Sequence, residues 1–290
     1  MQTKSCLMLR LLIEQFDQGS QDALIQSLPP DTQEQIRSID TQGRAAKDAI
    51  ISPLDCLSTM HYSWLEQCLK TYPSTLKAVM VSALPKQAIP PLKALLSING
   101  SLPAISNQRI RAFLLRQLYQ KLGGSKPPPL SLIPSSKMNV LLKLEKHRFV
   151  ELIDLLGIYD LAEKMRHIVD KEKLQAIRNS LSPKRREFLS YCLQQIEKVQ
   201  VSELDITQWK GDTKQLMNML HRRGLLRLGK ALSGESPALL ALLCLKLDTG
   251  RGTILKKCYN EQELPNITPL LAEQVLSIVR YLTPKEKGES

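Results

Sequence analysis

Apolar residues recur at intervals of three and four almost throughout this chain, and that periodicity restricts it to one fold class. Leu65, Cys68, Leu69 and Tyr72 form one stripe; Leu76, Val79, Met80 and Ala83 form the next. Leu92, Leu95 and Leu96 follow, then Ile110, Phe113, Leu114, Leu118 and Leu122. Downstream, Leu152, Ile153, Leu155 and Leu156 precede Leu161, Met165, Ile168 and Val169. Side chains so spaced lie on one face of an α-helix. No sustained alternation of period two occurs. Aromatic residues make up only 4% of the chain, few for the half-buried pleated surface of a sandwich or barrel. The expected class is all-α.

Proline shows how the helices join. A small residue, a Leu, then one or two turn residues with Pro recur at Ser27–Asp31, Ala83–Lys86, Ser180–Lys184 and Tyr281–Lys285. Pro cannot continue a helix but suits the first turn of the next. The joints are unequally spaced, which predicts an irregular helical stack rather than a fixed-period solenoid. Gly123-Gly124-Ser125-Lys126-Pro127-Pro128-Pro129, running on to Pro134-Ser135-Ser136, has no helical period and reads as a stiff connector. Two helical units are expected, residues 1–122 and 140–290, with 123–139 between them.

The chain of 290 residues has 40 Lys and Arg against 28 Asp and Glu, a net charge of +12. Between Glu66 and Glu145 there is no acidic residue, yet that stretch carries eleven cations: Lys70, Lys77, Lys86, Lys93, Arg109, Arg111, Arg116, Lys121, Lys126, Lys137 and Lys143. The remainder is nearly neutral. Solvated helix faces ordinarily mix both signs, so this segment is expected to meet an acidic partner. Lys70 with Lys77, Lys86 with Lys93, and Arg109 with Arg116 are each spaced at two helical turns, which would give each pair a common face. A second basic cluster holds Lys210, Lys214, Arg222, Arg223, Arg227 and Lys230, with Asp212 alone against it.

Catalytic and metal signatures are weak. The six cysteines and four histidines are scattered; most of the cysteines lie among Leu and Ile, as reduced cytosolic core residues do. Gly224-Leu225-Leu226-Arg227-Leu228-Gly229-Lys230-Ala231 matches G-x-x-x-x-G-K, but Ala stands where a phosphate loop needs a hydroxyl for Mg²⁺. The helical pattern of Leu216–Leu220 precedes it where a strand should be. Gly250-Arg251-Gly252 lacks the third glycine of a dinucleotide turn and reads as a helix junction. Asp154 and Asp160 are expected near helix ends as caps, and His147, His167 and His221 on solvated faces. No enzyme, cofactor or metal site is expected. The longest apolar run, Ala238–Leu245, has eight residues, against the roughly twenty that span a bilayer. No signal peptide is read at the N-terminus, and a soluble, cytoplasmic protein is expected.

Two segments resemble the FliG family of flagellar rotor switch proteins. Tyr72-Pro73-Ser74-Thr75-Leu76-Lys77-Ala78-Val79-Met80-Val81-Ser82-Ala83-Leu84-Pro85 is similar to the family's middle-domain run, in which His-Pro-Gln-Thr leads an apolar helix ending Ser-x-Leu-x-Pro. Tyr72 and Ser74 replace the His and Gln of that docking run. Leu228–Leu255, through Leu232-Ser233-Gly234-Glu235-Ser236-Pro237, resembles the family's C-terminal stretch. The acidic torque residues expected ahead of it are replaced by Arg222, Arg223 and Arg227.

The resemblance implies an armadillo-like stack without motor charges, similar to the cytosolic adaptor of type III secretion systems. It further implies a non-enzymatic scaffold that binds acidic secretion-ring components, contacts the inner membrane surface peripherally and assembles within a ring. The residues expected to bind partners are Lys70, Tyr72, Pro73, Ser74, Thr75, Lys77, Lys86, Lys93, Arg109, Arg116, Arg222, Arg223, Arg227 and Lys230. The alternative from charge alone is a helical-repeat nucleic-acid binder, which the scarcity of aromatics for base stacking disfavours.

Overall fold

The computed structural model describes residues 6, 9–10, 12–13, 21–38, 57–122, 133–194, 199, 204–206 and 209–283. Among these residues there is no strand: the protein is all-α, its helices packed as an irregular stack. The chain separates into two compact units, residues 1–133 and 134–290. Gly123–Pro129 of the expected connector, with Lys126 in it, lies outside the described residues, as do Cys56 and Pro284.

In the first unit, α1 (Gln21–Gln26) and α2 (Pro30–Arg37) bury Ile25 and Ile36 in a small cluster with Cys6 and Ile13. Downstream lie α3 (Ser63–Lys70), α4 (Ser74–Ala83), α5 (Ile89–Leu95) and α6 (Gln108–Lys121), with a 3₁₀ turn at Lys86–Ala88 leading into α5. Pro29, Pro73 and Pro85 each sit immediately before a helix, with ψ of 143°, 153° and 141°. That extended backbone ends one helix and aims the next, which is how the proline joints act. Leu65, Leu69, Met80, Val81, Leu84, Leu92, Leu114, Leu115, Leu118 and Leu122 fill the core.

Four residues expected in that apolar stripe point outward instead: Leu76 is 38% exposed, Leu95 45%, Ile110 52% and Phe113 59%. On α6 the reason is the width of the stripe. Leu114, Leu115, Leu118 and Leu122 already cover the side turned to α3 and α4, and Ile110 and Phe113 fall outside it.

The second unit comprises α7 (Val140–Lys143), α8 (Lys146–Met165), α9 (Lys171–Asn179), α10 (Pro183–Gln194), α11 (Thr213–Ala231), α12 (Pro237–Lys246), α13 (Thr249–Cys258) and α14 (Thr268–Leu282). Residues 134–139 belong to this unit. Ser136 Oγ accepts the Met138 N–H at 3.1 Å and donates to Glu235 Oε1 at 2.6 Å, which opens a 3₁₀ turn over Lys137–Asn139. Helix α8 buries residues on more than one side, Phe149, Leu152, Ile153, Leu156 and Leu161 among them, and packs against α10, α11 and α14. Asp170, Asp212 and Asp248 cap α9, α11 and α13. Val169, expected in the α8 stripe, lies beyond the helix end and is 94% exposed.

The G-x-x-x-x-G-K run is continuous helix within α11. Its glycines serve close packing: a Cβ on Gly224 would overlap the Ile153 carbonyl, and one on Gly229 would stand 2.5 Å from Cys258 Cβ. Gly250 and Gly252 lie in α13, where the Asp248 carboxylate accepts the Arg251 N–H at 3.0 Å.

Candidate functional site

The basic segment is divided by the fold. Lys137 and Lys143 belong to the second unit. Within the first, the cations sort by what their side chains touch. Arg111 reaches from α6 to the end of α4, its Nε donating to the Ala83 carbonyl at 2.9 Å and its Nη2 to that of Leu84 at 3.5 Å. It satisfies carbonyls that the end of α4 leaves without helical partners. Lys121 lies over the Tyr72 ring at 3.9 Å, and Lys70 pairs with Glu66 at 2.8 Å. Lys77, Lys86, Lys93, Arg109 and Arg116 form no ion pair among the described residues.

Of the three pairs spaced at two helical turns, Arg109 and Arg116 share a single helix. Lys70 ends α3 whereas Lys77 lies in α4, because Pro73 intervenes. Lys86 lies in the 3₁₀ turn ahead of α5, which carries Lys93. The expectation of a common face for those two pairs is therefore corrected.

Helix α6 carries the densest part of the face. At about 100° per residue, Arg109, Phe113, Arg116 and Gln120 fall within an arc of about 60°, and all four are exposed. Ile110 flanks that arc, and the buried leucines lie opposite. Both ends of the helix are fixed. Asn107 Oδ1 accepts the Arg109 N–H at 2.8 Å and the Ile110 N–H at 3.4 Å, an N-cap of the kind that stabilises a helix by roughly 1 kcal/mol. At the other end the Lys121 carbonyl accepts from Cys68 Sγ at 3.6 Å. Two arginines and a phenylalanine thus project from a helix packed through Leu114, Leu115 and Leu118 on its opposite side.

The segment resembling the FliG docking run begins just ahead of α4, where Pro73 precedes the helix. Pro73, Ser74 and Thr75 are exposed at the start of α4, and Tyr72 is half-buried beneath Lys121.

The second expected cluster does not form one face. Arg227 is 2% exposed. Its Nε donates to Asp160 Oδ1 at 2.7 Å, its Nη1 to Gln274 Oε1 at 2.7 Å and its Nη2 to the Val199 carbonyl at 3.3 Å. Arg223 Nε meets the other oxygen of Asp160 at 2.5 Å. Arg227 is therefore removed from the partner-binding set, and Arg223 is committed to the same carboxylate. Lys210, Lys214 and Arg222 remain exposed, and Lys230 is half-buried.

Asp154 and Asp160, expected as caps, lie well inside α8. Asp154 accepts from Arg185 at 2.6 Å and lies 2.6 Å from His221 Nδ1. His221, expected on a solvated face, is 14% exposed, whereas His147 and His167 are exposed. The signal that could have found these pairs is spacing: Asp154 and Asp160 fall within the Leu- and Ile-rich middle of α8, and His221, Arg223 and Arg227 line a helix that packs against it. A cleft of about 330 Å³ opens beside Asp154, lined by Glu151, Ser182, Lys184 and Arg185. Its carboxylates are matched: Glu151 accepts from Lys184 at 2.5 Å and Asp154 from Arg185. Among the described residues no three His, Cys, Asp or Glu side chains gather as a metal set, and no helix is long and apolar enough to cross a membrane.

The arrangement best placed to act on another molecule is thus the exposed face of α6; Lys77, Lys86 and Lys93, without ion pairs among the described residues, stand on other elements of the same unit. That face can recognise anionic groups around a small apolar centre. No protein-family model, curated protein or solved structure matches this chain.

Proposed function

We propose that this chain is a non-enzymatic scaffold that docks acidic protein surfaces, acting as an adaptor at the cytosolic base of a type III secretion or flagellum-like apparatus. One observation carries the docking reading: five cations on the first unit form no ion pair among the described residues, in a segment that has no Asp or Glu of its own. Left unpaired, such charges repel one another, and an acidic partner relieves that repulsion while accelerating encounter. The assignment to a secretion apparatus draws on the two FliG-like segments. The second of them begins within α11 and runs to the middle of α13, through the turn at Leu232–Ser236.

The test is co-purification with secretion-ring components at low and high salt, comparing the natural chain with a Lys77→Glu, Lys86→Glu, Lys93→Glu variant. The reading expects capture that weakens with salt and is lost in the variant. Capture unaffected by all three reversals counts against an electrostatic docking face. Nucleic-acid binding predicts something different: affinity for a random oligonucleotide falling with salt at a log–log slope of about −0.9 per neutralised phosphate.

A further inference from the structure

We infer that the outer face of α6 seats an acidic amphipathic helix of a partner protein. Phe113 and Ile110 would pack on its apolar stripe, and Arg109 and Arg116 would pair with carboxylates on its flanks. This rests on the docking reading above and names the occupant of one part of that face.

The outer face of α6 leaves both apolar area and positive charge without a partner among the described residues. Phe113 and Ile110, three residues apart, make one apolar patch on a single helical ridge, more than half exposed at both positions. An arginine stands one turn to either side of Phe113 on the same stripe, and neither has a carboxylate partner among the described residues. Aromatic and arginine side chains are those that dominate binding energy at protein interfaces. Here they occur together, on a helix whose opposite side is packed through Leu114, Leu115 and Leu118, so little backbone ordering remains to be done on binding.

Shape and charge select the occupant. From Arg109 to Arg116 the ridge runs about 10 Å, at about 1.5 Å per residue. That matches roughly two turns of a partner helix crossing it, whose apolar residues recur at i, i+3, i+4 and i+7. Carboxylates beside that stripe would meet the two guanidinium groups, which favour planar, bidentate pairing. A bilayer surface demands a broader apolar face than two side chains. Single-stranded nucleic acid uses several stacking rings in succession, and this face offers one. A second copy of this chain would bring its own acid-free segment to the contact.

The experiment is selection of a displayed library of random 16-residue peptides against the full-length protein, followed by synthesis of the enriched consensus. Binding to the natural chain is compared with Phe113→Ala and with Arg109→Glu, Arg116→Glu. Both variants change exposed residues, and circular dichroism checks that each remains folded. The expected consensus spaces apolar residues at three and four with Asp or Glu between them. Its affinity should fall about tenfold or more in Phe113→Ala, as for an interface hot spot, and fall with salt. No enrichment, a consensus without acidic residues, or equal affinity for Phe113→Ala overturns the inference. So does a labelled single-stranded oligonucleotide, or vesicles containing phosphatidylserine, whose binding is lost in Phe113→Ala, since that reassigns the face. If ring components are lost on reversing Lys77, Lys86 and Lys93 but retained by Phe113→Ala, the docking function stands and this occupant falls.

Discussion

Gly224 on α11 lies directly against the carbonyl of Ile153 on α8, with no space for a side chain between them. A Cβ there would overlap the Ile153 oxygen and stand 2.7 Å from its carbon. The contact is answered one turn away, where a Cβ on Gly157 of α8 would overlap the Leu220 carbonyl of α11. Each helix thus supplies a glycine where the other brings its backbone closest. The pair of helices at the centre of the second unit is fixed by backbone contact as well as by leucine packing.

Gly224→Ala should therefore destabilise the protein even though alanine is the better helix former. The propensity gain is about 1 kcal/mol. Forcing a methyl group into a packed contact costs typically 1–3 kcal/mol, more where backbone must move. We expect a net loss of about 1–2 kcal/mol in urea unfolding, and a similar loss for Gly157→Ala. A neutral or stabilising result for both would show that the helices can separate at no cost. A second measurement separates packing from phosphate binding: ATP or GTP should not raise the melting temperature of the natural chain, whereas a ligand at one hundred times its Kd would add about 2.7 kcal/mol.

Asp160 and Arg227 form the most buried ion pair of the second unit, with side chains 5% and 2% exposed. Removing the carboxylate by Asp160→Ala leaves Arg227 without its counter-charge, and the loss expected is about 3–5 kcal/mol. Replacing both, Asp160→Ala with Arg227→Met, should cost less than the sum of the single changes. Additivity within a few tenths of a kcal/mol in that double-mutant cycle would mean that the two side chains do not interact.

How far the sequence anticipated this structure depends on the period of each signal. Helix class and proline joints were legible because Pro29, Pro85 and Pro183 act locally, on their own backbone and on the residue before. The orientation of α6 was not, because Ile110 and Phe113 share a spacing with Leu114 and Leu118, and only packing against α3 and α4 decides which part of a broad stripe is covered. Asp160, Arg223, Arg227 and His221 were misplaced for a related reason. A charged residue on an apolar helix is buried when a counter-charge from another helix meets it, and that counter-charge lies more than sixty residues away in sequence. The acid-free segment was legible as composition, but which of its cations are committed to contacts inside the fold, as Arg111 is to the Ala83 carbonyl, was not.

Cys192 and Cys244 should resist thiol reagents in the native protein. Both are buried. Burial pushes the Cys192 thiol up to about 12 and that of Cys244 up to about 11, so the reactive thiolate is scarce at pH 8. With excess 5,5′-dithiobis(2-nitrobenzoic acid) and mass mapping of the modified peptides, Cys68 and Cys258, both partly exposed, should be labelled first. Labelling of Cys192 and Cys244 should wait for unfolding. Equal rates at all four would mean that the second unit opens readily at these positions.

Lys246 makes the opposite contribution to stability at alkaline pH. Its Nζ lies within hydrogen-bond reach of three carbonyls at the end of α7, Leu141 at 3.3 Å, Leu142 at 2.5 Å and Leu144 at 2.8 Å. Burial first, and then the nearby charge of Lys146, lower its pKa to about 8, against about 10.4 in an unfolded chain. Below pH 8 both states hold the proton, and the native state bears the full cost of the buried charge. Between about pH 8 and 10.4 the unfolded state binds more protons than the native one, so stability from this group rises with pH. The buried thiols act in reverse. Their raised native values make stability fall once an unfolded cysteine begins to ionise near pH 8.5. The two effects overlap, so the measurement is the difference in unfolding free energy between the natural chain and Lys246→Met, taken from pH 7 to 10.5. Both proteins share the cysteine contribution, and the difference should move steadily in favour of the natural chain as pH rises. A difference independent of pH would mean that three carbonyl acceptors hold the ammonium charged despite its burial.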